Sequence, residues 1–354
     1  MRIRLLTIPG VLAIAVTALA GAEIPRTPDG RPDLSGTYDI ATLTPLQRSP
    51  KYGDRLGLTD EEAKAIAREE AARMAKTNQA SDPNRAAPPV GGDGSEGAAG
   101  NVGGYNTLWI DRGSGAFKID GKWRTSILTD PNNGRQPPMT PDAMKRAAAR
   151  VRLAGRPNAG EAWWVKEGIT PGPYDDPELR PLAERCLLGF GSTGGPPMLP
   201  VLYNNLKQIV QTKDHVMILN EMVHDARIIR MNAKHEPPDV RLWLGDSVGQ
   251  WEGDTLVVDT TNFTNQPALG AASRNLHVVE RFSRIDEKTL LYRFTVEDPT
   301  VWTGPWSGEY IWPATDQRIY EYACHEGNYS FGNILRGARL LEAEALSKPA
   351  GSRK

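Results

Sequence analysis

His277-Val278-Val279-Glu280-Arg281-Phe282-Ser283-Arg284-Ile285-Asp286-Glu287-Lys288-Thr289-Leu290-Leu291-Tyr292-Arg293-Phe294-Thr295-Val296-Glu297 is the stretch that decides the fold. Its two halves are rich in β-branched and aromatic residues, and Asp286-Glu287-Lys288 separates them as a polar turn. Successive side chains of a strand point to opposite faces. Val278, Glu280, Phe282 and Arg284 therefore share one face, and His277, Val279, Arg281 and Ser283 the other. The stretch reads as an antiparallel hairpin.

The same pattern recurs on both sides of it. Gln208–Thr212 and Val216–Met222 flank Lys213-Asp214-His215, and Ala226–Met231 follows. Gly249–Glu252 and Thr255–Phe263 flank Gly253-Asp254, and Gly308–Trp312 and Ile319–Cys324 flank Thr315-Asp316-Gln317. Short strands joined by tight turns predict a mainly β chain, an antiparallel meander. With an early strand at Leu34–Tyr38 the meander would close into a barrel and so lose its edges. Shorter strands are expected at Asn106–Asp111 and Lys122–Thr129.

A few peripheral helices and long Gly/Pro-rich loops complete the picture. Thr59-Asp60-Glu61-Glu62 is a capping box that starts a helix running to about Lys76. Thr140 caps a second, from Pro141 to about Leu153. A third, from about Ser330 to Leu346, carries Phe331, Ile334, Leu335 and Leu341 on one face. Residues 81–105 form a glycine-rich linker, and 155–200 are again rich in loop formers.

The chain opens with Arg2 and Arg4, an apolar run from Leu5 to Leu19, and Ala20-Gly21-Ala22. That pattern is a secretory signal peptide, cleaved near Ala22. The run is shorter than the ~20 residues a membrane span needs. The domain plan is thus a signal peptide at 1–22, an extended and helical region at 23–105, a β domain at 106–346 and a tail at 347–354. No transmembrane span is expected after cleavage, and the location is periplasmic or secreted. In such an oxidising compartment Cys186 and Cys324 would pair as a disulfide.

Lys and Arg number 42 and Asp and Glu 43. With no basic stripe to neutralise phosphates, nucleic acid is not the expected partner. Gly91-Gly92 and Gly103-Gly104 lack the spacing of a P-loop or a dinucleotide fingerprint. Gly189-Phe190-Gly191-Ser192 departs from a serine-hydrolase elbow. The five histidines show no metal-ligand spacing, and two cysteines cannot complete a closed zinc site. Neither metal nor cofactor is expected.

Chemistry is expected where ionisable groups sit on apolar strand faces. Glu280 between Val278 and Phe282 would be costly to bury unless paired. Val223-His224-Asp225-Ala226-Arg227 brings an imidazole, a carboxylate and a guanidinium together, with His224 able to act near neutral pH. Asp298 ends a strand just before Trp302 and Trp306. His325 and Glu326 follow Cys324 at the expected barrel rim.

Several of these motifs carry a resemblance. Glu184-Arg185-Cys186, Tyr203-Asn204-Asn205, His224-Asp225-Ala226-Arg227, Trp243-Leu244-Gly245-Asp246-Ser247, Trp251-Glu252-Gly253-Asp254-Thr255 and Tyr322-Ala323-Cys324-His325-Glu326-Gly327-Asn328 together resemble a large family of exported bacterial proteins of unassigned activity. Leu34-Ser35-Gly36-Thr37-Tyr38 is more loosely similar to the opening strand of lipocalin-like barrels, with Tyr38 where a tryptophan is expected. The family likeness implies export and no mechanism.

Two functions are expected from these residues. One is an acid–base enzyme, a hydrolase or lyase acting on a small polar, sugar-like or aromatic molecule. Its catalytic groups would be His224, Glu280, Asp298 and Arg227. Trp251, Trp302 and Trp306 would wall the ligand, with His325 and Glu326 at the rim. The other is a non-catalytic, lipocalin-like carrier of a small molecule. The two differ in whether His224 and Glu280 meet in one hollow.

Overall fold

A computed structural model describes residues 24–79, 84, 86, 110–154 and 160–347. The expected signal peptide, most of the glycine-rich linker, most of the strand at Asn106–Asp111 and the tail after Ser347 lie outside the described residues; Ile110 and Asp111 are not in a strand.

In chain order the strands are β1 (Gly36–Asp39), β2 (Gly57–Leu58), β3 (Lys118–Ile119), β4 (Lys122–Arg124), β5 (Leu128–Asp130), β6 (Leu206–Gln211), β7 (His215–Asn220), β8 (Ala226–Met231), β9 (Asp246–Glu252), β10 (Thr255–Thr261), β11 (His277–Arg284), β12 (Thr289–Glu297) and β13 (Trp306–Pro313). The helices are α1 (Asp60–Thr77), α2 (Pro141–Ala154), α3 (Trp163–Lys166) and α4 (Tyr329–Ser347).

Ten strands form one curled, half-barrel sheet in the order β1-β6-β7-β8-β9-β10-β11-β12-β13-β5. Strands β2, β4 and β3 make a small second sheet. The hairpin read first from the sequence is β11–β12, with Glu280 opposite Phe294 and Phe282 opposite Tyr292. Burial along β11 alternates without a break, and Val278, Glu280, Phe282 and Arg284 are the buried set. The curl brings β1 close to the far end of β13. There Tyr38 forms a single bridge with Ala314, and Thr315 N donates to Thr37 O at 2.9 Å.

Two features depart from the expected meander. Strands β8 and β9 pair in parallel, joined by the long crossover 232–245. The expected strand Ile319–Cys324 does not form; residues 315–323 carry no regular structure. Its seat beside β13 is occupied by β5, which comes from the N-terminal half of the chain. Gly308 makes that docking feasible, because a side chain there would meet the Ile127 carbonyl oxygen at 2.9 Å and the Phe294 ring at 2.6 Å.

The concave face of the sheet holds the main core. Tyr292 lies 4.9 Å from Trp312 and 5.0 Å from Phe282, centroid to centroid. Burying one Phe-sized side chain contributes roughly 1.5–3 kcal/mol, so this aromatic row anchors the curl. Across the open side of the curl runs Ser192–Leu199, buried throughout. Its Met198 N donates to the Tyr292 hydroxyl at 3.0 Å, and the Tyr310 hydroxyl donates to Met198 O at 2.6 Å.

Helix α1 starts at the expected capping box: Glu62 N donates to Thr59 Oγ1 at 3.2 Å and Thr59 N to Glu62 Oε2 at 2.8 Å. Helix α4 packs with α3 in a small separate core around Trp164 and Ala338. The disulfide Cys186–Cys324 is formed, with a Cα–Cα distance of 5.7 Å. No described helix is long and apolar enough to cross a membrane.

Candidate functional site

The polar residues on the concave face come from strand alternation. Lys207 is in phase with Ile209 on β6, Asn220 with Ile218 on β7, and Arg227 with Ile229 on β8. Ser247, Thr260 and Glu280 continue the belt across β9, β10 and β11.

Arg227 and Glu280 meet in this belt. Both are fully buried, and two guanidinium nitrogens bond the two carboxylate oxygens, one of them Nη1 to Oε1 at 3.0 Å. The Tyr292 hydroxyl donates to Glu280 Oε1 at 2.8 Å. Arg227 also donates to Ser247 Oγ and Thr260 Oγ1, each at 2.9 Å. Every charge in the pair is therefore answered by bonds inside the protein, the condition for burying an ion pair. Tyr292, bonded to Glu280, packs against Phe282 at 5.0 Å and accepts from Met198 N of the Ser192–Leu199 segment.

The other expected site residues lie apart. His224 is exposed at the corner between β7 and β8 and is not a partner of Glu280. The Asp298 carboxylate takes hydrogen bonds from Ser273 N, Thr300 N and Thr300 Oγ1, the geometry of a turn cap. Trp302 and Trp306 pack edge to face at 5.5 Å within the core. Trp251 is half-buried, with the Arg31 guanidinium 5.8 Å from its ring centre. His325 and Glu326 are exposed in the turn that leads to α4, since no strand end exists there to make a rim.

Sequence reasoning missed a second ionisable cluster, behind the corner. Lys207 is fully buried, and its amine donates to Thr193 Oγ1 at 2.9 Å. Burial pulls its pKa down to about 7, against the opposing pull of Glu221 and Asp225. Burial pushes the Asp225 carboxyl up to about 6, partly offset by His224 and Lys207. Asp225 Oδ2 and Asn220 Oδ1 are buried without a hydrogen-bond partner among the described residues. The corner itself is strained, with Val223 at φ 60° and His224 at φ 46°, a region costly for a β-branched residue. The available signal was Lys207 in phase with Ile209, a cation on a core face.

The sign of the Lys207 effect follows from linkage. Its folded pKa lies below the unfolded value near 10.5, so the unfolded chain binds more protons between about pH 7 and pH 10. Stability is expected to rise with pH across that window, by up to ~1.4 kcal/mol per pH unit. Lys207→Met should abolish the rise in urea melts; an identical slope in the variant would refute the assignment.

One roomy recess is walled partly by the ends of the Ser192–Leu199 segment itself. It is a cleft of about 1020 Å³ between Thr42–Leu46, Phe190–Ser192 and Leu199–Tyr203. Leu43, Leu46, Phe190, Leu199, Leu202 and Leu269 make its walls apolar. Among the described residues, Glu70 and Arg112 are its only charged lining residues. The Phe190 and Tyr203 rings meet edge to face at 6.5 Å, and both Phe190 and Leu202 are exposed.

No family model, curated protein or solved structure matches this chain. The site is therefore read from its own geometry.

Proposed function

We propose that this chain is an exported, non-catalytic carrier that holds a small apolar molecule in this cleft. One observation carries the reading. The buried ion pair is satisfied within the protein and leaves no open carboxylate there, whereas a mostly apolar cleft of about 1020 Å³ opens among Thr42–Leu46, Phe190–Ser192 and Leu199–Tyr203. Ligand sites are typically concave and mostly apolar, with few polar groups. The disulfide agrees with an oxidising compartment. The lipocalin likeness fits the curl of the sheet.

An acid–base role has a narrower basis. It would fall to exposed His224 beside Asp225, whose raised pKa suits proton transfer, with Lys207 sealed behind them.

The neutral fluorophore N-phenyl-1-naphthylamine tests the carrier reading. It should bind saturably at one site per chain. Leu202→Glu is expected to weaken binding at least ~10-fold, about 1.4 kcal/mol, with the melting temperature unchanged because Leu202 is exposed. Absence of saturable binding, or equal affinity in the variant, would sink the proposal.

A further inference from the structure

We infer that the cleft selects molecules carrying a carboxylate, which Arg112 receives at the wall of an otherwise apolar recess. This rests on the carrier reading and adds the chemical class of the ligand.

The charge arithmetic of the cleft supports it. Of its two charged lining residues, Glu70 is already taken: Arg73, outside the lining, donates to it from Nε at 2.8 Å and Nη2 at 2.6 Å. That ion pair holds the Glu70 carboxyl below its usual range, with Arg112 adding a smaller pull. Arg112 feels Glu70 only at a distance and makes no salt bridge among the described residues. Its Nε is buried without a hydrogen-bond partner among the described residues. A partly buried guanidinium with no carboxylate bonded to it is a receptor for a planar anion, which can meet it with two parallel hydrogen bonds.

The loop that presents Arg112 is built to hold still. Asp111 N donates to Leu202 O at 2.8 Å, and Asn205 Nδ2 donates to Asp111 O at 2.9 Å. Gly113 N donates to the Asp111 carboxylate at 2.9 Å. Gly113 sits at φ +88°, and a side chain there would meet the Ala41 carbonyl and Thr42 N at 2.8 Å. Only glycine permits this close approach, which fixes the residue before it against the cleft wall. A fixed cation loses little freedom on binding, so its charge contributes to selectivity rather than to ordering. The ligand expected is an apolar chain or ring bearing one acid.

The test displaces bound N-phenyl-1-naphthylamine with decanoate or with 1-decanol at neutral pH. The acid should displace the probe at a concentration about 10-fold below that of the alcohol. Arg112→Met, which keeps much of the apolar stem, should make the two equal, read for each protein as the ratio of the displacing concentrations of acid and alcohol. Arg112→Lys should retain part of the preference. Equal displacement by acid and alcohol in the wild type overturns the inference, as does a preference that survives Arg112→Met. In both cases the cleft reading stands. Failure of the neutral probe to bind at all removes the cleft reading, and this inference falls with it.

Discussion

Replacing Glu280 with Gln is expected to destabilise the protein by roughly 3–5 kcal/mol. The amide nearly matches the carboxylate in shape, so the loss is electrostatic. Arg227 would keep Ser247 and Thr260 but lose the anion that offsets its buried charge. The Tyr292 hydroxyl would still find an acceptor, which limits the damage to the pair. For a chain of this size the melting temperature should fall on the order of 10 °C. Arg227→Met alone should cost a similar amount. The double variant should cost much less than the sum, because it leaves no unpaired charge behind. A thermal melt of the three variants settles the matter. A Glu280→Gln protein that melts with the wild type would show that this pair is not the buried, closed network described above.

Loss of the disulfide is the second large effect. Cys186 and Cys324 are 138 residues apart in sequence. In the chain-entropy model, closing a loop of that length removes about 5 kcal/mol of unfolded-state freedom. The double variant Cys186→Ser/Cys324→Ser should therefore melt well below the wild type, as should reduced protein. The damage should be uneven. Cys324 lies in a stretch with no strand of its own, tied by the bridge, by Asn328 Nδ2 donating to Glu184 O at 2.7 Å and by Tyr320 N donating to Glu221 Oε1 at 3.2 Å. Hydrogen exchange should rise first in residues 314–347 and around Cys186, while β10–β13 stay protected. Uniform loss of protection, or none after verified reduction, would contradict this.

Much of the fold was legible in the sequence because alternation is a local signal. The buried face of β11 was read residue by residue, and so was the capping box of α1. The two cysteines could be paired because the inferred compartment favours it and no other partner exists. What escaped were facts about neighbours. Nothing local in Leu128–Asp130 says that it will take the place beside β13 and displace Ile319–Cys324. Nothing in Ala226–Met231 says that its next partner will run parallel.

The site was less legible than the fold for the same reason. Glu280 stands out in the sequence as costly to bury unless paired, and Arg227 stands out as a separate candidate, yet their closeness reads equally as catalysis or as packing. Only the bonds that satisfy the pair separate those two. Trp302 and Trp306 were expected on a ligand wall, but large rings next to a strand end serve a core as readily. Arg112 carried no motif at all; its interest comes from an acid that is already engaged elsewhere.

The buried Ser192–Leu199 segment has a consequence for the rings it meets. Met198 satisfies two buried hydroxyls through its own backbone, donating from N to Tyr292 and accepting at O from Tyr310. Two polar tips on the aromatic row are thus answered by a loop rather than by water, so the row stays closed to solvent only while that loop is in place.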